Sequence, residues 1–276
     1  MSWKASLSLN YTHQAPRTVA HFLHDGPLRI LQSLYPEGPG ICHNVLVHPP
    51  GGLVGGDWLD MQVQVGSGAH GLVTTPGATR FYRSTGAPAL QAVHAQLAEG
   101  ARLEWLPLEA LAYNGCLAEN RARFDLAPSA ELLGWDVTAL GLPEAQQPFV
   151  AGQFQQHLEV PGVWLERGLI DASDTLLLDS PIGLSGQKCL GTLFFVAGTA
   201  LDRHRRDAAL DAVRACLAQH PLAAQCGATS PHPQVLVVRV LGPLVEPVMD
   251  LLRQLWACWR ELLWQLPGHA PRIWAM

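Results

Sequence analysis

One short pattern occurs three times in the first half of the chain and restricts the folds open to it. An apolar strand end is followed by three turn-forming residues and then by an alanine that opens the next strand. The alanines are Ala69, Ala101 and Ala130, which are 32 and then 29 residues apart. A strand–turn–strand unit that recurs at this interval indicates stacked layers of β structure, each burying a neighbour's apolar face. An ordinary meander with similar turns is the alternative arrangement.

The sequence before residue 200 contains several short strand patterns. Residues 61–65 alternate Met, Val and Val with two glutamines, and residues 121–126 alternate charged with apolar side chains. Strict alternation predicts half-buried strands, and clusters of Gly, Pro, Asn and Ser separate many of them. We therefore expect more than half of this region to be strand or turn, with no helix longer than about three turns.

Two helices are predicted after residue 200. The first covers about 201–220, with Thr199 and Asp202 as a capping pair and Pro221 as its stop signal. The second covers about 247–266, with Pro247 in its first turn. Its apolar residues follow three- and four-residue steps, and Trp256 and Trp264 widen the apolar surface. This surface is interpreted as core, with a partner-facing surface as the alternative.

These patterns predict the fold class and the domain organisation. The fold is expected to be mainly β, a layered β-helix-like stack of short strands with two C-terminal α-helices. We predict a single domain over residues 1–276, since large β domains reach this size as one unit. It is β-rich over 1–199 and has two helices plus a strand over 200–276.

Composition argues against several classes of function. The net charge is −5 and the one basic cluster, residues 203–206, is followed at once by Asp207, so nucleic acid is not the expected partner. No apolar run reaches the length of about 20 residues that spans a bilayer, and the first residues lack the apolar segment of a signal peptide. The six cysteines are scattered without a C-x-x-C pair, which favours neither disulfides nor a structural zinc site. A soluble cytoplasmic protein is expected.

Catalytic motifs are not recognisable in the sequence. The glycine-rich stretch 48–57 lacks the G-K-[ST] ending of a nucleotide loop, and residues 183–187 do not match G-x-S-x-G. If residues 42–48 form a strand, Cys42 and His48 are roughly 20 Å apart and His43 points the other way. A tight metal site is therefore not predicted there. A hydrolase with His43 or His48 as its base is the enzymatic alternative, although no nucleophile is recognisable beside either residue.

An ordered series of motifs resembles the urease accessory protein family UreD, also called UreH. The series includes YPEG at 35–38, CH at 42–43, HPPGGLVGGD at 48–57, GAHGLVTTPGATRFYRS at 68–84 and GARLEWLP at 100–107 followed by Glu109. It continues through GWD at 134–136, VVRVLG at 237–242 and PRIWA at 271–275. The resemblance covers essentially the whole chain.

The resemblance implies a function as well as a fold. Members resemble a β-helical stack with two helices, and they act as chaperones with a UreF-type accessory protein, a UreG-type GTPase and the urease apoprotein. The complex delivers Ni²⁺ for assembly of the urease metallocentre. The family member itself has no assigned catalytic residue and no tightly bound cofactor, and it is thought to offer an internal passage for the ion. A purely structural scaffold that holds the partners together without contacting metal is the alternative.

Acidic side chains set among apolar strand residues are the candidates for such a passage. A conduit needs donors that hold the ion briefly, because a closed high-affinity cage would not release it. Each candidate also has a structural interpretation, since buried acids usually have partners. The predicted transient nickel path consists of Asp60, Glu104, Glu109, Asp136 and Glu166.

Overall fold

The strands occupy most of the chain before residue 200. The structure is a computed structural model that describes residues 2–275. In chain order the strands are β1 (Lys4–Gln14), β2 (Arg17–Asp25), β3 (Arg29–Leu34), β4 (Ile41–Val47), β5 (Gly52–Leu53), β6 (Trp58–Val65), β7 (His70–Thr74), β8 (Thr79–Phe81), β9 (Ala89–Leu97), β10 (Arg102–Leu106), β11 (Ala110–Ala112), β12 (Cys116–Leu126), β13 (Glu131–Leu140), β14 (Gly152–Val160), β15 (Trp164–Asp171), β16 (Cys189–Ala197), β17 (Cys226–His232) and β18 (Val235–Gly242).

The two long helices lie where the sequence predicts them. They are α2 (Arg203–Ala218) and α3 (Val245–Trp264). A short helix, α1 (Thr175–Asp179), precedes them. The predicted start of α2 is wrong in detail, because Asp202 and not Thr199 is the cap: its carboxylate accepts hydrogen bonds from the backbone N–H groups of His204 and Arg205. Helix α3 likewise begins at Val245, ahead of Pro247.

Between residues 2 and 275 the strands form two sheets that face each other. Sheet A has the strand order β15-β14-β12-β9-β6-β1-β2, and sheet B follows β17-β18-β16-β13-β10-β7-β4-β3 with β5, β8 and β11 beside this path. The central strands of each sheet are parallel, and successive pairs come from successive layers of the chain. The predicted fold class, a layered β stack with two C-terminal helices, is confirmed.

The repeated turn builds the layers. Ala69, Ala101 and Ala130 are all buried, and each donates its backbone N–H to the carbonyl three residues earlier, at 2.9–3.1 Å. The residue after each of the last two alanines then donates to the carbonyl of the preceding alanine, so that one turn sits on the next. Gly68 and Gly100 occupy the left-handed region at φ 69° and 67°, which glycine adopts without strain. The stacked arrangement is therefore the correct one of the two alternatives.

Sheet B is buried on both of its faces. In β13, Leu132 and Leu140 point into the core between the sheets, whereas Leu133 and Trp135 point into a second core under the helices. This alternation follows from the two-residue period of a strand. The strands of sheet B consequently place polar side chains on either of two different buried surfaces.

Helix α3 packs against sheet B and α2 with most of its apolar residues. Trp256, Trp259 and Trp264 are all buried, so the interpretation of this surface as core is confirmed, while Leu262 remains partly exposed. Trp274, beyond the helix, packs against Trp256 and donates its indole N–H to a threonine of β7. Within residues 2–275 no helix has the length and apolarity needed to cross a membrane.

A buried ion cluster joins α3 to the β stack. The guanidinium of Arg260 is fully buried and binds both carboxylate oxygens of Glu37, at 2.8 and 3.0 Å. Its Nε lies 3.2 Å from Glu104 on β10, which also accepts from the indole of Trp256 at 2.7 Å and contacts the imidazole of His70 at 2.9 Å. The carboxylates are almost completely shielded from water. Arg260 faces both carboxylates and supplies a positive charge that they share.

We expect Arg260→Met to reduce the free energy of unfolding by about 3–5 kcal/mol, since it leaves two buried carboxylates without their guanidinium. Arg203→Met, at an exposed arginine of α2 that pairs with Asp207, is the matched control and should change stability by less than about 0.5 kcal/mol. Urea unfolding followed by tryptophan fluorescence measures both. Equal stability of the two variants would show that the cluster does not hold α3 in place.

Candidate functional site

Two of the five predicted acidic residues lie together in the structure, and the other three lie in separate places. Asp136 on β13 and Glu166 on β15 line one cleft, which lies between the later strands of sheets A and B. The cleft has a volume of about 480 Å³. Its other polar lining residues include Gln156, Thr192 and Arg239. Asp136, Thr192 and Arg239 lie directly across adjacent strands of sheet B, and all three point toward sheet A.

Asp136 is held by two amide side chains from the opposite sheet. Gln156 donates to its Oδ1 at 2.5 Å and Asn120 to its Oδ2 at 2.9 Å. Burial, followed by repulsion from Glu166, raises the pKa of Asp136 to about 7, and the amide hydrogen bonds oppose this effect. Asp136 is therefore an acid whose charge near neutral pH depends on what occupies the cleft.

The amides belong to a row of polar side chains between the two sheets, called the polar line below. Gln91, Asn120 and Gln156 occupy the same row of β9, β12 and β14 in sheet A. Gln91 donates to Asn120 at 3.1 Å, and Thr79 donates to Gln91 at 3.3 Å. At about 4.8 Å per strand, the three amides extend roughly 10 Å between the two sheets, where their residues are half-buried.

Sequence reasoning missed these amides, although a signal was present. Asn120 interrupts the inward-facing positions of β12, where Ala118 and Ala122 are its neighbours two residues away. Gln156 has the same relation to Phe154 and Leu158 in β14. A polar residue in phase with buried apolar ones predicts a buried polar contact, because an unpaired amide in such a position is costly.

A second cavity lies at the other end of the line. It has a volume of about 210 Å³ and is lined by Gln91 and Thr79 together with His48 and Arg80. The Nε2 atom of His48 is buried without a hydrogen-bond partner. Burial lowers the pKa of His48, which favours the neutral imidazole at neutral pH. The polar line thus connects a cavity with a free imidazole nitrogen to a cleft with two carboxylates.

Glu166 is paired across the mouth of the cleft. Arg239 of sheet B binds both of its carboxylate oxygens, each at 2.9 Å, and so bridges the two sheets. Burial raises the pKa of Glu166, and Arg239 counteracts this shift. The pair places one guanidinium over the acidic part of the cleft.

The other three predicted acids lie elsewhere. Asp60 is on the outer face of sheet A, where Lys4 pairs with it at 3.2 Å. Glu104 faces the helices, and its oxygens are occupied by the buried cluster of Arg260. Glu109 lines a different cleft beside Glu246, and burial together with repulsion from Glu246 raises its pKa. Only Asp136 and Glu166 of the predicted set therefore share a site.

Residues 41–47 form the strand β4, so the extended arrangement considered for residues 42–48 holds as far as Val47. Cys42 lies in the core between the sheets and His43 lies on the helix side, where it contacts Glu37 at 2.9 Å. Because these side chains point to opposite faces of the sheet, they cannot bind one metal ion together. Across residues 2–275 there is no group of three or more His, Cys, Asp or Glu side chains suited to hold a metal ion. The site thus offers separate donors in a line.

Comparison with known proteins identifies the family. The family model described as UreD urease accessory protein matches residues 4–275. Proteins named urease accessory protein UreD from Paracidovorax citrulli and a Polaromonas species are 68% and 66% identical to the chain over the full length of both sequences. The protein of the same name from Leptothrix cholodnii is 54% identical over 99% of each chain. The chain therefore belongs to the UreD family of urease accessory proteins.

Proposed function

We propose that the protein is a non-enzymatic factor of urease maturation and that Ni²⁺ passes through its interior on the way to the urease apoprotein. The route runs between the cavity at His48 and the cleft at Asp136 and Glu166, along Gln91, Asn120 and Gln156. The observation that carries this proposal is the hydrogen-bonded line from Thr79 to Asp136 between the two sheets. We infer that it acts in the cytoplasm, together with a UreF-type partner and a UreG-type GTPase.

The donors along this route suit a cargo ion rather than a resident one. Amide, carboxylate and imidazole groups are ligands that Ni²⁺ accepts, and each position offers only one or two of them. An amide in the line can rotate to present its oxygen to a cation after releasing its hydrogen bond to Asp136. Because no position surrounds the ion completely, each contact is weak enough to be exchanged for the next.

An exposed apolar residue at the cleft supports a partner contact there. Ile182, in the loop after α1, is 94% exposed and lines the cleft. Leu165 and Leu169 of β15 are also exposed, but they alternate with Glu166 and so lie on the outer face of sheet A. An isoleucine so exposed beside an opening is a candidate for a protein contact. We infer that the UreF-type partner covers this opening, so that the ion moves between the two proteins without returning to solvent.

Replacing the acids of the cleft tests the route. We expect Asp136→Asn and Glu166→Gln each to lower urease specific activity and nickel content in part, and the double variant to lower them far more. The amides keep the shape of the acids, so the lost charge is the main variable. The measurement is urease activity and bound nickel after co-expression with the urease and accessory proteins.

The matched control for this test is Asp60→Asn on the outer face of sheet A, which should leave activation unchanged. A pull-down shows whether each variant still joins the accessory complex. Full activation by the double variant would eliminate these acids as stations of the route and favour a scaffold without metal contact. Loss of the complex would instead give the acids a role in assembly.

Substitution of Ile182 tests the partner contact. Its side chain is 94% exposed, so Ile182→Asp should change stability by less than about 0.5 kcal/mol but reduce co-purification of the UreF-type partner. Leu31→Asp, at a residue 79% exposed at the opposite end of the stack, is the matched control and should bind normally. If Leu31→Asp abolished co-purification and Ile182→Asp did not, the partner would occupy the other end.

A further inference from the structure

The Arg239–Glu166 pair is built differently from the buried cluster at Arg260. Arg239 is 58% exposed and reaches from β18 to a glutamate that is only 18% exposed at its side chain. The guanidinium therefore has most of its surface in water while it covers a largely buried carboxylate. Arg239 can leave this pair at little desolvation cost to itself, since water solvates the free guanidinium. Arg260, in contrast, has no route to solvent.

The guanidinium also occupies the place that a cation would take. Arg239 uses both oxygens of Glu166, and its neighbours across sheet B are Thr192 and then Asp136. A divalent ion bound between Asp136 and Glu166 would need at least one oxygen of Glu166. The guanidinium and a bound cation therefore compete for the negative charge and the oxygen lone pairs of this carboxylate.

We propose that Arg239 is a displaceable counter-ion of the cleft, which neutralises Glu166 while no cargo is present and competes with the bound cation for that carboxylate. This inference rests on the proposed route, and it adds to that route a means of release. As the cation arrives, the side chain of Arg239 moves into solvent. When the cation is passed on, Arg239 returns to Glu166, so that the ion is not held in the cleft.

The test compares Ni²⁺ binding by full-length variants. In calorimetric titration with nickel sulfate in a non-chelating buffer, Arg239→Gln should bind Ni²⁺ about fivefold more tightly than the parent chain. Release of Ni²⁺ to a chelator in stopped-flow should slow by a similar factor. Arg239→Lys, which keeps the charge and loses the bidentate geometry, should fall between the two.

A matched control lies on the outer face of sheet A. Arg121 is 48% exposed and pairs with Glu119, which is 19% exposed, so Arg121→Gln removes an equivalent pair away from the cleft. It should leave Ni²⁺ binding unchanged. In a Glu166→Gln background, Arg239→Gln should have almost no effect, since no carboxylate is left for the two cations to contest.

The outcomes separate this inference from the proposed route. If Asp136→Asn and Glu166→Gln weaken Ni²⁺ binding while Arg239→Gln leaves it unchanged or weaker, the route stands and the role of Arg239 is rejected. If none of the variants alters Ni²⁺ binding, the acids are not cation ligands and the route is rejected together with the inference. Thermal unfolding of every variant within a few degrees of the parent chain confirms that the fold is intact.

Discussion

Burial of both faces of sheet B is the constraint on which the rest of the architecture depends. One face of this sheet closes the core against sheet A, and the other forms the floor of the helical layer. Since side chains alternate along a strand, neighbours in sequence end up on surfaces separated by the full thickness of the sheet. Glu104 and Asp136 illustrate the result: both are acids of central strands, but one meets Arg260 under α3 and the other meets the amides of sheet A. Their chemical roles follow from which face they occupy.

The polar groups around Arg260 and those around Asp136 reduce the free-energy cost of burying charge in different ways. Around Arg260, charges of opposite sign are sealed together, and removing one member leaves the others uncompensated. Around Asp136, neutral amides solvate a single acid, and its protonation provides a second way to remove the charge. The first arrangement fixes the position of a helix. The second leaves a polar line whose charge and hydrogen bonds can be rearranged.

Much of the fold was accessible from the sequence because it depends on local signals. The alanine turns, the strand alternation and the apolar stripe of α3 predicted a layered β stack with two helices, and the structure confirms this. The boundaries of the helices were less well defined, since Thr199 and Asp202 both have side chains that can cap a helix, and Asp202 is the one that does so. The sequence could not show which acids meet, because Asp136 and Glu166 lie on different sheets and come together only through the packing of one sheet on the other. The inward orientation of Asn120 and Gln156 could be predicted from the sequence, but only once it was known which positions of their strands face the core.

The contacts of α3 also determine the order in which the chain can complete its structure. Layers of the stack join residues about thirty positions apart, so they can form one after another as the chain emerges from the ribosome. Glu37, however, pairs with an arginine 223 residues later, Glu104 with a tryptophan 152 residues later, and Thr74 with an indole 200 residues later. Until synthesis reaches the last helix, the part of the apolar face of sheet B that α3 covers stays exposed. The incomplete chain therefore exposes more apolar surface than the folded protein does. Contacts between segments so distant in sequence also form slowly.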